Sequence, residues 1–213
     1  MMNLSEVIQY KNGIPHYDLT NTIQFLEYRG KKMFGEHFKI YAIDYEVIFQ
    51  IIAWIVKDEK TCKKYNISRN KGIILTGQVG CGKTSLMKLF ASLTPLSRAY
   101  RVKPAREVTM EFSKQGYDVI NRYSRSVRSP KPICFDDIGV EPPMRYFGDH
   151  INVMGEIFLS RYELFIAKGI QTHATTNLTA EELESRYGNR VRSRLREMVN
   201  LIAFSPESMD KRK

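Results

Sequence analysis

Short hydrophobic runs alternate with amphipathic segments along most of this chain, and the alternation predicts strands separated by helices. The apolar runs are rich in β-branched and aromatic residues, which is typical of strands buried on both faces. These runs fall at 72–76, 100–102, 133–135, 170–175 and 201–204. Helical periodicity is found at 22–33, 45–57, 85–92, 105–112, 117–123, 151–168, 180–187 and 190–197. Strands alternating with helices predict an α/β fold with a parallel central sheet.

The N-terminal third has weaker patterns than the rest. Residues 1–22 show no strong periodicity and are interpreted as an extended arm or loop. Asp44 is the expected N-cap of the helix that follows it. The polar segment 58–71 is interpreted as a linker. We therefore expect an N-terminal arm with helices and a linker at 1–70, and a core domain at 71–213.

Composition indicates a cytoplasmic protein that does not span a membrane. No apolar run approaches the ~20 residues that a spanning helix needs. The N-terminus lacks an apolar segment behind a basic start, so no signal peptide is expected. The 3 cysteines are scattered and have no metal-ligand spacing, so neither a disulfide framework nor a zinc site is predicted.

Positive charge is concentrated in two parts of the chain. The formal net charge is +10; residues 98–131 carry nine basic and three acidic side chains, and residues 186–213 carry eight and three. Clustered cations indicate a polyanionic partner such as nucleic acid. A solvated basic surface that aids solubility is the alternative.

A glycine-rich segment follows the first strong strand and matches the phosphate-loop pattern Gly-x-x-x-x-Gly-Lys-Ser/Thr. Glycines permit backbone angles that turn successive N–H groups toward phosphate oxygens. Lys83 would reach the β- and γ-phosphates, and the Thr84 hydroxyl would bind Mg²⁺. The predicted nucleotide-binding residues are Gly77, Gln78, Val79, Gly80, Cys81, Gly82, Lys83, Thr84 and Ser85. The segment predicts binding of ATP or GTP.

Two adjacent carboxylates, Asp136 and Asp137, directly follow the strand at 133–135. A phosphate loop needs a carboxylate on a neighbouring strand to hold the metal. We expect Asp136 to bind Mg²⁺, directly or through water, and Asp137 to act as the general base toward the attacking water. A turn or a helix cap is the alternative explanation of a paired Asp.

Polar side chains near the ends of later elements are further candidates. Asn177 follows the strand at 170–175 and could orient the attacking water, although a Thr-Asn pair is more often a turn or cap. Four arginines crowd the helix at 190–197, and Arg190 and Arg194 share a face. One of them could complete a neighbouring subunit's site. A solvated basic face or DNA phosphate binding is favoured from spacing alone.

The series of motifs resembles one family. In order, the motifs are 77–84, Asp136-Asp137-Ile138-Gly139, Arg161-Tyr162-Glu163, Thr175-Thr176-Asn177-Leu178 and Tyr187-Gly188-Asn189-Arg190-Val191-Arg192-Ser193-Arg194-Leu195. They resemble the AAA+ ATPases of the DnaC/IstB type, which are bacterial helicase loaders and transposition helper ATPases. The resemblance covers about residues 36–212. It implies a P-loop NTPase fold of AAA+ type: a three-layer α/β/α sandwich without a separate C-terminal lid domain.

The resemblance also implies roles for individual residues. Asp136 matches the metal-binding position, Asp137 the catalytic acidic position and Asn177 the sensor position. Arg194 matches the finger that completes a neighbour's site, with Arg190 as the second choice.

The sequence departs from the family pattern at two points. Asp137 stands where many AAA+ proteins carry Glu, although Asp is common in this branch. The N-terminal part has no zinc-ligand cysteines and matches no helicase-binding module.

The family pattern does extend to the end of the resemblance, where Arg212 matches a basic residue that often closes it.

Two functions of different classes follow from the residues and the resemblance. The first is an ATP- and Mg²⁺-dependent ATPase that forms homo-oligomers and acts in helicase loading or on mobile-element DNA. Its expected partners are single-stranded or duplex DNA, contacted through residues such as Arg122, Arg125 and Arg128, and a replicative helicase or transposase. The second is an ATP-switched module that recruits a helicase or transposase with little catalysis. A small-molecule kinase is a third option, which the Asp-Asp-x-Gly segment and the arginine-rich helix disfavour.

Overall fold

The computed structural model describes residues 7–12, 14–124, 129–146 and 148–212. Its strands are β1 (Ile8–Lys11), β2 (Ile14–Tyr17), β3 (Gly72–Thr76), β4 (Arg101–Pro104), β5 (Ile133–Ile138), β6 (Met144–Tyr146), β7 (Asp149–Ile151), β8 (Thr172–Thr176) and β9 (Val199–Ala203). Its α-helices are α1 (Leu19–Phe34), α2 (Tyr45–Val56), α3 (Glu59–Lys64), α4 (Lys83–Ala91), α5 (Ala105–Gln115), α6 (Tyr117–Tyr123), α7 (Val153–Lys168), α8 (Ala180–Tyr187) and α9 (Asn189–Met198).

Five of the strands form one sheet in the order β4-β5-β8-β3-β9, and all neighbouring pairs run parallel. The predicted parallel central sheet is therefore confirmed. Strand β3 lies next to β8, which in turn lies next to β5. Because the carboxyl ends of parallel strands meet at one edge, the loops that follow these three strands lie close together.

Helices cover both faces of the sheet, as a three-layer sandwich requires. In β3, Ile73 and Leu75 belong to a core on one face, where α1, α2 and α4 pack. Ile74, between them, belongs to the core on the other face, formed with α5 to α9. The alternation follows from the opposite directions of successive strand side chains. Strand β3 is thus apolar throughout because it is buried on both sides.

The N-terminal segment contains regular structure, so its interpretation as an arm or loop is wrong for the described residues. Strands β1 and β2 form an antiparallel hairpin, and α1 begins already at Leu19. The Asp18 side chain accepts a hydrogen bond from the N–H of Asn21 and caps this helix. The hairpin is held to the rest by the hydroxyl of Tyr17, which donates to Asp58 at 3.0 Å.

Segment 58–71 also differs from its interpretation as a linker. It contains α3, which is capped by the Asp58 side chain and buries Cys62 against the core. A single helical turn or two has little stability alone, so tertiary packing decides this element. Similarly, the predicted helix at 151–168 begins only at Val153, because Asp149–Ile151 pairs with Met144–Tyr146 in the antiparallel hairpin β6–β7.

Two further features are the segment after β9 and the character of the helices. After β9, residues 204–212 form no helix or strand. Among the described residues, no helix combines the length and apolar character that crossing a bilayer requires.

Candidate nucleotide-binding site

The phosphate loop joins β3 to α4 at the carboxyl edge of the sheet. Gly80 and Gly82 have φ values of 80° and 104°, which side chains with a β-carbon rarely adopt. Lys83 is 5% exposed, and its ammonium donates to the carbonyl oxygens of Gly77 at 2.8 Å and Gln78 at 2.9 Å. The lysine is therefore folded against its own loop, where phosphate oxygens would compete for its protons.

Helix α4 begins directly behind this loop. Gly82 is its N-cap, and Gly82 has no side chain that could occupy the first N–H groups of the helix. Those groups have no acceptor within the helix, and they carry the positive end of the helix dipole. A strand, a glycine loop and an uncapped helix start together form the arrangement that binds phosphate in proteins.

Asp136 lies beside this loop at the end of β5 and is 7% exposed. Its Oδ1 accepts hydrogen bonds from the Thr84 hydroxyl at 2.9 Å and from the Thr175 hydroxyl at 2.6 Å. A threonine hydroxyl and a carboxylate in contact supply the hard oxygen ligands that Mg²⁺ prefers. The residues present therefore fit a magnesium ion held between α4 and β5.

Asp137 occupies an irregular position in β5. Its φ is 53°, and the pairing of β5 with β8 shifts register between Phe135 and Ile138. Its N–H donates to the Thr175 hydroxyl at 2.8 Å. Burial and the neighbouring Asp136 charge raise the pKa of Asp137, while the Lys83 and Arg212 charges act in the opposite direction. A carboxylate with a raised pKa is a better proton acceptor than an ordinary aspartate.

Asn177 follows β8 and reaches the same place. Its Oδ1 accepts a hydrogen bond of 2.5 Å from the ammonium of Lys83. The structure therefore brings Lys83, Thr84, Asp136, Asp137 and Asn177 together at one cavity. Thr175 is a functional candidate that sequence reasoning missed, although it precedes Asn177 in the same Thr-Thr-Asn segment. The sequence does not predict its role, because the pairing of β5 with β8 decides which threonine hydroxyl faces the carboxylates.

The cavity has a volume of about 920 Å³ and a second wall that sequence analysis did not identify. This wall is formed by Phe34, His37, Phe38, Lys39, Ile40, Tyr41, Asp44 and Ile48. Aromatic and aliphatic side chains suit the flat face of a nucleotide base. These residues run from the end of α1 to the first turn of α2, and no local motif marks them. Lys211 and Arg212 reach the cavity from the C-terminal segment.

The arginine candidates lie elsewhere. Arg194 does not line the cavity; its guanidinium stacks 4.4 Å from the Tyr162 ring centre and donates to the Tyr162 hydroxyl at 3.3 Å. Arg190 is exposed in the first turn of α9. Arg122, a candidate DNA contact, donates to Glu111 at 3.0 Å and is thus partly neutralised. Arg125 and Arg128 lie outside the described residues.

Comparisons with known proteins identify the fold. Neither a search against protein-family models nor a search of curated proteins gives a match. Among solved structures, a protein of Streptococcus pyogenes serotype M3, provisionally described as a primosome component, matches with a TM-score of 0.56. It is 17% identical, over 79% of this chain and 83% of that chain.

Two other solved structures agree with this match. The DnaC helicase loader gives a TM-score of 0.55 at 17% identity, covering 78% of this chain and 92% of that one. DnaI gives a TM-score of 0.51 at 19% identity, covering 75% of this chain and 82% of that one. With the parallel sheet, its strand order and the phosphate loop after β3, these likenesses show that this chain has the three-layer α/β/α fold seen in the DnaC helicase loader.

Proposed function

We propose that this chain binds ATP with Mg²⁺ and hydrolyses it, in a role connected with DNA replication or with mobile-element DNA. The observation that carries the proposal is the convergence of Lys83, Thr84, Asp136, Asp137 and Asn177 at one cavity. The proposal places the ATPase core at 71–213 and assigns 1–70 to an N-terminal part that supplies the second cavity wall.

Each residue has a distinct task in this proposal. Lys83 and the loop amides bind the β- and γ-phosphates, and Ser85 lies beside them at the cavity. Thr84 and Asp136 hold the magnesium ion, which supplies charge neutralisation on the phosphates when bound. Asp137 accepts a proton from the attacking water, and Asn177 orients that water. The Thr175 hydroxyl donates to the carboxylate of Asp136 and accepts from the main-chain N–H of Asp137, and so positions both residues.

The nucleotide part is tested by Lys83→Ala. Removing the ammonium should weaken ATP affinity by about a hundredfold, because a charged contact to the phosphates is lost. The dissociation constant of a fluorescent ATP analogue measures this directly. Lys88→Ala is the matched control, since Lys88 is exposed on the same helix and does not line the cavity. Unchanged binding in Lys83→Ala would contradict the proposal at its base.

The proposed partners are DNA, a replicative helicase or transposase, and further copies of this chain. The structural likeness to the DnaC helicase loader supports a helicase as partner, and the net charge of +10 supports DNA. ATP turnover, and the oligomeric state by light scattering, would be measured with and without single-stranded DNA, duplex DNA and a hexameric helicase. We expect at least one of them to change turnover or assembly. If none does, the DNA-related role is wrong while the ATPase role stands.

A further inference from the structure

A buried ion pair joins two parts of the chain that flank the cavity. The ammonium of Lys211 lies 2.5 Å from Oδ2 of Asp44, and the two side chains are 16% and 5% exposed. The other oxygen of Asp44 accepts a hydrogen bond of 3.2 Å from the Ser208 hydroxyl. Asp44 occupies the expected N-cap position of α2, but its side chain makes no capping hydrogen bond. The carboxylate is instead bonded to Ser208 and Lys211 of residues 205–212, which we call the C-terminal strap.

The C-terminal strap is hydrogen-bonded to the phosphate loop. The N–H of Lys211 donates to the carbonyl of Gly80 at 3.1 Å, and its ammonium donates to the carbonyl of Cys81 at 2.5 Å. The Gln78 side chain donates to the carbonyl of Pro206 at 2.9 Å. A side chain at Gly80 would collide with the carboxylate of Asp210. Gly80 therefore permits both the loop conformation and the close approach of the strap.

From these contacts we infer that Lys211 is a positioning residue for the phosphate loop, held in place by Asp44. The inference rests on the proposed nucleotide binding and adds a residue to it. In a trans peptide the C=O and the N–H point in opposite directions. Because the Gly80 and Cys81 carbonyls point to Lys211, the N–H groups of Cys81 and Gly82 point away from it.

The same pair fixes the second cavity wall. Asp44 lines the cavity and follows residues 37–41, which also line it. The ammonium of Lys211 therefore links Asp44, in the second cavity wall, to the carbonyl of Cys81 in the phosphate loop. This link fixes the distance between the second wall and the loop. Because the pair is largely buried, salt screens it little. Binding of nucleotide between the walls should stabilise the strap, and the strap should favour nucleotide by the same factor.

The test uses Lys211→Met and Asp44→Asn in the full chain. Lys211→Met should weaken the binding of a fluorescent ATP analogue about tenfold, as expected when a charged hydrogen bond that orients the site is removed. Asp44→Asn should weaken it roughly threefold, because the amide still accepts from Lys211 but lacks the charge. The double variant should lose no more than Lys211→Met alone, since both changes break one pair. Lys60→Met, exposed on α3, is the control with unchanged affinity.

A merely structural ion pair gives a different result. In that case, both variants would lower the melting temperature of the nucleotide-free protein while binding nucleotide as the wild type does, which overturns the inference. If Lys211→Met does not fold, wild-type affinity in Asp44→Asn overturns it equally. Nucleotide binding by the wild type and by Lys83→Ala distinguishes a failure of the strap inference from a failure of the proposed function. Loss of binding in Lys83→Ala together with normal binding in the strap variants contradicts the strap alone, whereas no binding by the wild type contradicts the proposed function.

Discussion

Asp137 shows how one backbone angle shapes the candidate active site. Neighbouring residues of a regular strand point to opposite faces, so Asp136 and Asp137 would normally diverge. The positive φ of Asp137 and the register shift beside it place both carboxylates at the cavity. Aspartate tolerates the left-handed region better than most residues, but the conformation still costs on the order of 1 kcal/mol. The local strain is consistent with a functional position.

The raised pKa of Asp137 predicts the pH dependence of hydrolysis. A general base acts in its deprotonated form, so activity should fall as pH drops through this pKa. The acidic limb of the kcat/KM profile should therefore lie above the ordinary aspartate range of about 3.9. Asp137→Asn should retain nucleotide binding, lower turnover at least about a hundredfold and lose this limb. A limb that persists in Asp137→Asn would assign the base to another residue.

Thr175 provides a second prediction at the residue scale. Thr175→Val keeps the shape but removes the hydrogen bonds to Asp136 and to the N–H of Asp137. We expect turnover to fall about tenfold, with a higher Mg²⁺ concentration needed for half-maximal rate. Thr176→Val is a matched control: Thr176 is equally buried, but its hydroxyl donates to the carbonyl of Ile138. Equal Mg²⁺ requirements in the two variants would contradict this role.

At the scale of elements, β3 and β8 are linked by a buried histidine. His173 accepts a hydrogen bond from the N–H of Ile73 at 3.1 Å through Nδ1. Its ring lies 4.4 Å from that of Tyr100 and 5.3 Å from that of Trp54. Burial, together with the charges of nearby arginines, lowers the pKa of His173 to about 3. The imidazole is therefore neutral in the folded sheet.

This histidine predicts an acid-sensitive fold. The unfolded chain takes up a proton near pH ~6.5 while the folded one does not, so the stabilising contribution is complete above that pH and declines as pH falls toward the folded pKa. Between about pH 7 and about pH 5, the linkage should remove about 2 kcal/mol of unfolding free energy. Urea unfolding of wild type and His173→Gln measures it. The difference between the two proteins should shrink by that amount, and a constant difference would contradict the prediction.

Prediction of elements succeeded where the chain carries its own signal, which is an apolar run for a buried strand or an amphipathic face for a helix. All five strands of the central sheet were predicted, as were α7 and α9. The hairpins β1–β2 and β6–β7 and helix α3 were missed. These short elements lie outside the central sheet and show no such pattern, so their neighbours in the fold decide them.

At the scale of the whole molecule, Arg194 lies outside the cavity of its own chain. Its stacking on Tyr162 and the hydrogen bond to Glu197 at 3.4 Å hold it at the surface, 37% exposed. Such a position is compatible with the proposed action on a neighbouring subunit. Arg190 is also exposed and is the second candidate for this role.

Mixing of subunits tests this arrangement. Arg194→Ala should bind ATP but turn it over about a thousandfold more slowly, because the neighbour's site loses a charge in the transition state. Adding Lys83→Ala subunits, which keep Arg194 but bind ATP only weakly, should restore part of the activity. Subunits carrying both changes should restore none. Normal turnover in Arg194→Ala with a loss in Arg190→Ala would reassign the role to Arg190.

The amino-acid sequence by itself determined the phosphate loop, the acidic pair and the parallel sheet, because each depends on local backbone geometry or on a short repeating pattern. Only the tertiary structure decided the rest of the site. Lys211 lies 167 positions from Asp44 and 130 from Cys81, and no local pattern can pair residues at such separations. The second cavity wall and the orientation of Thr175 likewise exist only once the sheet has set which side chains face one another.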